Sequence, residues 1–401
     1  MLTSAIYRSR QYWRLLLLSL SLTMITSVHA QSPQQVRFAT YNVSMDASNY
    51  LAFEDIPKQG AKALASALAE QTQQIKNIAH VIQRVRPDVI LLNEFDYIDA
   101  AKGVDVFRKQ YLAVAQADDV KAIDYPYVYI APVNTGQPSP FDLDRNGKKE
   151  RFGADAWGFG LYPGQYGMVL LSRYPILTEQ VRTFQHFKWQ DMPNALQVTV
   201  PGSDEPWYSK QAMAQFPLSS KSHWDVPIRV GEQIIHALVS HPTPPVFDGE
   251  ENRNGKRNHD EIRLWADYVN DADYLIDDNG VKGGLASETR FVIMGDQNAS
   301  VESNDNVDGA ILQLLNHPLI QGDMAPTSKG GAEHTPDNPQ ANTHTASWRK
   351  RADYVLPSQF GLTIVNSGIF WPTKDEPLYE LVQKREATSD HRLVWVDLKV
   401  N

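Results

Sequence analysis

Several apolar segments of this sequence end in side chains that bind metals or transfer protons. Asn42 ends Thr-Tyr-Asn, Glu94 ends Ile-Leu-Leu-Asn-Glu, and His241 ends Ala-Leu-Val-Ser-His. Asp296 and Asn298 follow Val-Ile-Met-Gly in the same manner. A carboxylate at the end of a buried strand has to be paired, hydrogen-bonded or bound to a metal, because an isolated buried charge is very costly. The sequence therefore predicts a polar site built from the ends of several strands.

Two further segments near the C-terminus carry groups of the same kind. Asp353 stands in Arg-Ala-Asp-Tyr-Val-Leu, and Asp390 and His391 directly precede the last apolar segment. Taken singly, each position has an ordinary explanation as a turn residue, a hydrogen-bonded structural histidine or a polar loop residue. Ordinary explanations would have to apply independently at every one of these strand ends. Such a coincidence is improbable, so the joint pattern indicates a catalytic site.

The elements that must position these residues are short β-type segments, several of them almost continuously apolar. Such runs are typical of strands buried on both faces of a sheet. The predicted strands are residues 36–43, 89–95, 167–172, 234–241, 291–296, 352–357 and 393–398.

Helical patterns lie between these strands. Apolar residues repeat at helical spacing over 64–85, and Pro87 ends that helix just before a strand. A second helix is predicted from about 259 to 277, with Asn258 and Glu261 as its capping pair. Strands and helices in this arrangement predict an α+β fold in which two packed sheets carry helices on their outer faces.

One catalytic domain is expected from about residue 36 to 401, because no linker with a change of composition interrupts it. Long loop insertions are predicted near 97–160, 185–228 and 242–258, and loops of that length are usually functional or disordered. The sequence gives no reason to infer a protein partner.

The first 30 residues differ from the rest of the chain and predict a signal peptide. Three arginines precede an apolar run, and Val28 and Ala30 are small residues at the spacing that a signal peptidase recognises. The alternative is a membrane anchor, but the run is shorter than the roughly 20 residues that a span needs. We therefore expect export to a periplasm or the cell exterior, with no membrane span left after cleavage.

Charge and cysteine content exclude some kinds of chemistry. The net charge is −9, and removal of the three N-terminal arginines would make it about −12. An acidic protein is repelled by long polyanions, which counts against avid nonspecific DNA binding. The chain has 0 Cys, which excludes thiolate ligands, a cysteine nucleophile and disulfide bonds.

The order of these motifs resembles the endonuclease/exonuclease/phosphatase superfamily, which includes pancreatic-type deoxyribonucleases, abasic-site nucleases, sphingomyelinases and inositol polyphosphate 5-phosphatases. The matching segments are Thr40-Tyr41-Asn42-Val43, Leu92-Asn93-Glu94, Tyr166-Gly167-Met168, Ser240-His241, Gly295-Asp296-Gln297-Asn298, Arg351-Ala352-Asp353-Tyr354-Val355 and Ser389-Asp390-His391. The resemblance implies a four-layer αββα sandwich of two mixed sheets, with the active site at the strand ends between them.

The resemblance also implies a metal site. Glu94 would be the main carboxylate ligand, with Asn42 beside it and Asp390 completing or bridging the site. Oxygen ligands of this kind suit Mg²⁺ or Mn²⁺ better than zinc. Tyr166 matches a position from which a phenol approaches the phosphate.

The remaining matched residues would carry the acid–base chemistry. Asp296 would orient or deprotonate the attacking water, with Asn298 near the phosphorus. His391, held by Asp353, would act as a general base or bind a phosphate oxygen, and His241 would bind the phosphate or protonate the leaving oxygen.

One insertion begins like a calcium-binding loop. Asp142, Asp144, Asn146 and Gly147 have the spacing of such a loop, but Gly153 stands where the closing glutamate belongs. This segment is compatible with a structural Ca²⁺ site and with a plain polar turn.

The sequence predicts an exported, divalent-metal-dependent phosphoesterase that acts on a small or lipid-linked phosphoester. The alternative is an extracellular nuclease acting on DNA or RNA by the same chemistry, which should present a cleft lined with basic residues. A non-catalytic binding module with the same fold is the third possibility. It is disfavoured because every matched position keeps a chemically competent residue.

Overall fold

The computed structural model describes residues 34–305 and 307–401. The predicted signal peptide over residues 1–30 lies outside the described residues, and the domain limits of 36–401 stay a prediction. No helix in this described part is long and apolar enough to cross a membrane.

The described residues contain strands that form two mixed sheets. The strands are β1 Gln35–Met45, β2 Val89–Phe95, β3 Tyr127–Tyr129, β4 Met168–Ser172, β5 Arg182–Thr183, β6 His223–Val230, β7 Gln233–Ser240, β8 Phe291–Asp296, β9 Asp353–Pro357, β10 Leu362–Ile369 and β11 Val394–Val400. One sheet has the order β10-β11-β1-β2-β4-β3 and the other the order β5-β6-β7-β8-β9.

Helices cover the sheets. The α-helical segments are α1 Ile56–Ala69, α2 Gln73–Val85, α3 Val104–Val106, α4 Lys210–Met213, α5 Arg253–Val269, α6 Leu312–Leu315 and α7 Lys329–His334. A π-helical turn, Phe107–Leu112, continues α3.

Alternation along the strands explains why the sheets are buried on both faces. Ala237 and Val239 of β7 belong to the core shared with the six-stranded sheet. Leu238, which points the other way, belongs to a second core with Ile262 and Trp265 of α5. The predicted fold, two mixed sheets flanked by helices, is confirmed.

The helix predictions were wrong in two details. The pattern over 64–85 is two helices, α1 and α2, because residues 70–72 interrupt the helical backbone. The second helix runs from Arg253 to Val269 rather than from about His259 to Asp277, so Asn258 and Glu261 lie inside it, buried, and are not its caps. Both side chains hydrogen-bond the backbone of Thr243 in a neighbouring loop instead.

The predicted insertion over 185–228 was also wrong at its C-terminal end, because β6 begins at His223. This strand contains Asp225 and Pro227, which obscure a β pattern. Asp225 is buried but accepts hydrogen bonds from Tyr268 at 2.6 Å and from His236 at 2.7 Å. Tertiary partners therefore satisfy the polar group that made the segment look like a loop.

The sheet topology brings the predicted site residues to one edge. Strands β1 and β2 are parallel, and so are β7 and β8. Their carboxyl ends therefore point the same way within each sheet. Strands β9 and β11 run antiparallel to β8 and β1, so they begin where those strands end. Residues that end four strands and residues that begin two others consequently meet.

Candidate active site

Asp296 lies at the centre of the site, at the end of β8. The Nε2 atoms of His241 and His391 lie 3.4 and 3.6 Å from its Oδ2, and Asn42 Nδ2 donates to the same oxygen at 3.1 Å. The other oxygen accepts the backbone N–H of Asn298 at 2.9 Å. Burial alone would raise the pKa of Asp296, but the charge of His391 and the hydrogen bond from His241 hold it below its ordinary value. The carboxylate is therefore ionised at neutral pH.

The glycine before Asp296 is required by close packing of β8 against β7. A Cβ atom on Gly295 would lie 2.0 Å from the carbonyl oxygen of Ser240. Its φ of 147° is also one that residues with a side chain rarely adopt. The Gly-Asp pair thus allows the close approach that brings Asp296 to His241, the residue that follows Ser240.

His391 is held by a second carboxylate. Its Nδ1 lies 2.8 Å from Asp353 Oδ2, and Thr345 Oγ1 donates to the same oxygen at 2.7 Å. Burial alone would lower the pKa of His391, but Asp353 and Asp296 together raise it well above its ordinary value. His391 is therefore an imidazolium at neutral pH, clamped between two carboxylates.

His241 has the opposite charge state. Burial, followed by the charge of Lys221, lowers the pKa of His241 to about 4, although Asp296 opposes this shift. Its Nδ1 has no hydrogen-bond partner among the described residues. Two imidazoles thus face one carboxylate, the first neutral and the second cationic, which suits proton transfer at a group bound between them.

The predicted metal ligands lie beside this centre. Asn42 favours the charged form of Glu94, whereas the charges of Asp46 and Asp390 oppose it. Burial and then these two charges raise the pKa of Glu94 to about 7, and burial raises the pKa of Asp46. Carboxylates that repel one another in a buried place, with an amide oxygen alongside, fit a hard divalent cation, and Asn42, Glu94 and Asp390 are the residues that would hold it.

Backbone strain is concentrated among these residues. Glu94, Tyr166 and Asn298 have φ values of 56°, 57° and 50°, and Ser44 has 47° at an irregularity in the pairing of β1 with β2. Left-handed backbone at residues with a side chain costs about 1–3 kcal/mol each and clusters at functional sites. Ser44 and Glu94 lie near the ends of β1 and β2, Asn298 follows β8, and Tyr166 precedes β4, so the strain lies at the strand ends that form the site.

Tyr166 and Asn298 lie at two different margins of the site. The phenol of Tyr166 lies near carboxylates, since burial and then Asp46 and Glu94 raise its pKa above the ordinary value. Asn298 Nδ2 donates to the carbonyl oxygen of Pro242 at 3.1 Å, which ties the end of β8 to the segment after His241. The structure therefore brings all the predicted site residues to one region, with Tyr166 on the carboxylate side.

Asp296, Asp353 and His391 form another group whose potential ligand atoms lie within 4.8 Å of one another. A protonated imidazole has no lone pair to give a metal, and the pKa of His391 is raised well above its ordinary value. This group is therefore better suited to moving protons than to holding an ion.

Sequence reasoning missed four residues of this region. They are Asp46, Lys221, Arg385 and Trp348. Arg385 Nε lies 3.9 Å from Asp390, and the half-exposed Trp348 contacts the ring of His391 edge to face at 5.7 Å. Asp46, near Asn42 at the end of the same strand, could have been found from the sequence. The others lie in loops whose spatial neighbours no local pattern reveals.

The calcium-like loop acquires a third acidic residue in space. Asp142, Asp144 and Asp155 have carboxylate oxygens within 4.8 Å of one another. Asp155 is buried and also accepts the backbone N–H groups of Leu143 and Glu150, at 2.6 and 2.7 Å. Asp155 thus stands near the place where the sequence lacked a closing glutamate. The Ca²⁺ site itself stays a prediction.

A family model described as the endonuclease/exonuclease/phosphatase family matches residues 39–391, a region that contains every predicted site residue. The chain belongs to this family. Members of the endonuclease/exonuclease/phosphatase family are divalent-metal-dependent phosphoester hydrolases, nucleases among them. A search of curated proteins found no significant match.

Solved structures of similar fold come from several bacteria. An endonuclease/exonuclease/phosphatase from Beutenbergia cavernae is 16% identical, with a TM-score of 0.47 over 92% of this chain and 72% of its own. A family protein from Leptotrichia buccalis is 16% identical, with a TM-score of 0.43 over 91% and 99% of the two chains. Beta toxin from Staphylococcus aureus is 12% identical, with a TM-score of 0.42 over 90% and 99%.

Proposed function

We propose that this protein is an exported, divalent-metal-dependent phosphoesterase that hydrolyses a P–O ester bond with water. The observation that carries the proposal is the convergence of His241, His391 and Asn42 on one oxygen of Asp296, beside the carboxylate of Glu94. This places a proton acceptor, a cation and metal ligands around one small space.

Each residue then has a distinct task. Asp296 is ionised and accepts a hydrogen bond or a proton from the attacking water. His391, whose cation is balanced by Asp353, binds a phosphate oxygen or gives a proton to the leaving oxygen. The neutral His241 donates a hydrogen bond to the phosphoryl group. A bound Mg²⁺ or Mn²⁺ would neutralise phosphate charge and lower the pKa of bound water.

The substrate class follows from charge. The chain carries a net charge of −9, and the carboxylates at the site add local negative charge. A small or lipid-linked phosphoester needs only the local cations of the site, whereas a long nucleic acid would meet repulsion from the rest of the surface. This favours the small ester over the nuclease alternative.

The deciding experiment compares three substrates with purified protein lacking residues 1–30. Hydrolysis of bis(4-nitrophenyl) phosphate, 4-nitrophenyl phosphate and plasmid DNA is measured with Mg²⁺, Mn²⁺, Ca²⁺ or EDTA. We expect metal-dependent turnover that falls by at least about a hundredfold in Asp296→Ala and His391→Ala. Preferential cleavage of DNA would establish the nuclease alternative. No turnover of any substrate by folded, metal-loaded protein would refute the proposal.

The chain supplies a matched control for these variants. His236 and Asp225 form another histidine–carboxylate pair, 2.7 Å apart, near the middle of β7 and away from the strand end that carries the site. His236→Ala removes the same side chain from a similar pairing and should leave the rate of hydrolysis unchanged. A comparable loss in this variant would mean that the site variants act through the fold.

Export is tested separately. The full-length chain is expressed with a C-terminal tag in a bacterial host, and the cell fractions are compared. We expect cleavage after Ala30 and recovery outside the cytoplasm. An uncleaved protein retained in the cytoplasm would refute export without affecting the proposed chemistry.

A further inference from the structure

Lys221 occupies a fixed position beside the active site. It directly precedes β6, and His223 at the start of that strand pairs with Ser240 at the end of β7. Antiparallel register therefore places Lys221 next to the segment that follows His241. Its carbonyl oxygen accepts a hydrogen bond from the backbone N–H of Asn134 at 3.0 Å, which holds the backbone here.

Glu261 of α5 fixes the same two segments from behind. Its carboxylate oxygens accept the backbone N–H groups of Ser220 and Thr243, each at 2.6 Å. One buried side chain thus clamps the residue before Lys221 and the second residue after His241. The position of Lys221 relative to His241 is set by this clamp rather than by a flexible loop.

The side chain of Lys221 is buried, and its ammonium has no partner among the described residues. The residue is 5% exposed. Within the described residues no group hydrogen-bonds its Nζ, and no carboxylate oxygen lies within 4.0 Å of it. Its charge nevertheless acts on Glu261, Glu94 and Asp296, and on His241. The charge of Lys221 therefore lies within electrostatic range of the site residues.

An ammonium without a partner at the end of a buried side chain is unfavourable, because lysine is rarely buried to this extent unless it is paired. The three N–H donors of Lys221 have no acceptor among the described residues, and an anion bound at the site would supply one. A phosphoryl group offers two or more charged non-bridging oxygens, which match an ammonium as a point charge.

We propose that Lys221 binds a non-bridging oxygen of the substrate's phosphoryl group directly, as a cationic contact that does not require the metal. The inference rests on the proposed function for the identity of the anion. It adds a substrate-binding residue from the segment just before β6, from which none of the predicted site residues comes. The competing explanation is that Lys221 is a structural counter-charge for Glu94 and Asp296.

The test measures binding of inorganic phosphate by calorimetry, in EDTA and without added metal. Wild type is compared with Lys221→Met, which keeps the length of the side chain and removes the charge, and with Lys62→Met, which does the same at an exposed lysine of α1. We expect phosphate to bind about tenfold to a hundredfold more weakly to Lys221→Met, because a hydrogen bond to a charged group is lost. Lys62→Met should bind as wild type does.

Thermal unfolding separates the two explanations. If Lys221 awaits an anion, Lys221→Met removes a charge that has no hydrogen-bonded partner from a buried side chain, so its Tm without phosphate should equal or exceed that of wild type. Phosphate should raise the Tm of wild type but not that of the variant. A variant that fails to fold or melts at a lower temperature would show that the fold needs the cation, and would overturn the proposal.

Two other results would also overturn it: no phosphate binding by wild type, or equal binding by wild type and Lys221→Met. Failure of the proposed function is distinguishable. Wild type that binds phosphate through Lys221 but hydrolyses no phosphoester leaves this inference standing and removes the function. If wild type hydrolyses a phosphoester and Lys221→Met binds phosphate as well as wild type does, the proposed function stands and this inference fails.

Discussion

Replacing Asp353 with asparagine removes the negative charge beside His391 and changes the side-chain volume very little. In the wild type, His391 Nδ1 lies 2.8 Å from Asp353 Oδ2. With about 4 Å between charge centres and an effective dielectric constant of about 20, the attraction is on the order of 4 kcal/mol. If the transition state needs the His391 cation, losing this attraction should lower kcat/KM about a thousandfold.

The assay is kcat/KM for bis(4-nitrophenyl) phosphate at saturating Mg²⁺, with far-ultraviolet circular dichroism and Tm as checks of folding. Thr345→Val is the matched control. It removes the 2.7 Å hydrogen bond to the same oxygen of Asp353 but leaves the carboxylate charged. We expect the control to lose about tenfold, since a single hydrogen bond contributes roughly 1 kcal/mol and more when one partner is charged.

The relative loss of kcat/KM in the two variants shows whether the charge or the hydrogen bond of Asp353 matters more. A folded Asp353→Asn protein within about threefold of wild type would refute the claim that the carboxylate charge supports His391 in the reaction. A Thr345→Val protein as impaired as Asp353→Asn would show that hydrogen-bonded positioning, rather than charge, is the contribution of this pair.

Three further outcomes are expected. Burial and neighbouring charges raise the pKa of Glu94 to about 7, so Mg²⁺ should bind more tightly as pH rises through 7. Glu94→Gln should bind Mg²⁺ at least about tenfold more weakly and without this pH dependence. Calorimetry at pH 6 and 8 checks both expectations. Burial lowers the pKa of His223 to about 4, so its neutral form stabilises the fold above the unfolded pKa of about 6.5, and this stability is lost as pH falls towards 4. The stability advantage of wild type over His223→Asn in urea unfolding should therefore shrink by on the order of 3 kcal/mol over that interval, and a constant difference would contradict it. Calcium should raise the Tm of wild type but not of Asp144→Asn, and a rise of equal size in both would place the ion elsewhere.

The central part of the fold could be predicted because buried strands have a recognisable local pattern of apolar residues. The segments around Asn42, Glu94 and Asp296 are apolar on both faces, and a polar residue after such a run has no ordinary place in a core. Their convergence follows from the rule that parallel strands share an edge. Strands whose polar residues are satisfied by distant partners, such as β6 with its buried Asp225, give no such local signal.

Site residues could be predicted where they belong to a recognisable sequence motif. Those that join the site only through tertiary contacts could not. Lys221 lies in an unremarkable polar segment, and nothing near it in the sequence indicates that Glu261 on α5 clamps its backbone. Asp155 lies beyond the spacing of the calcium-loop pattern, and only the folding of the loop brings it to Asp142. These residues are defined by neighbours that the chain acquires on folding.

Asn93 joins the two sheets at the point where catalysis would occur. It lies on β2 of one sheet, is 0% exposed, and its Oδ1 accepts the backbone N–H of Asp296 on the other sheet at 3.2 Å. Asn42, also from the first sheet, binds the side chain of the same aspartate. Any sliding of one sheet over the other therefore moves Asp296 relative to Glu94. Core substitutions far from the site that loosen the contact between the sheets would lower the rate of hydrolysis well before they unfold the protein, so the temperature of maximal activity should report on how tightly the sandwich is packed.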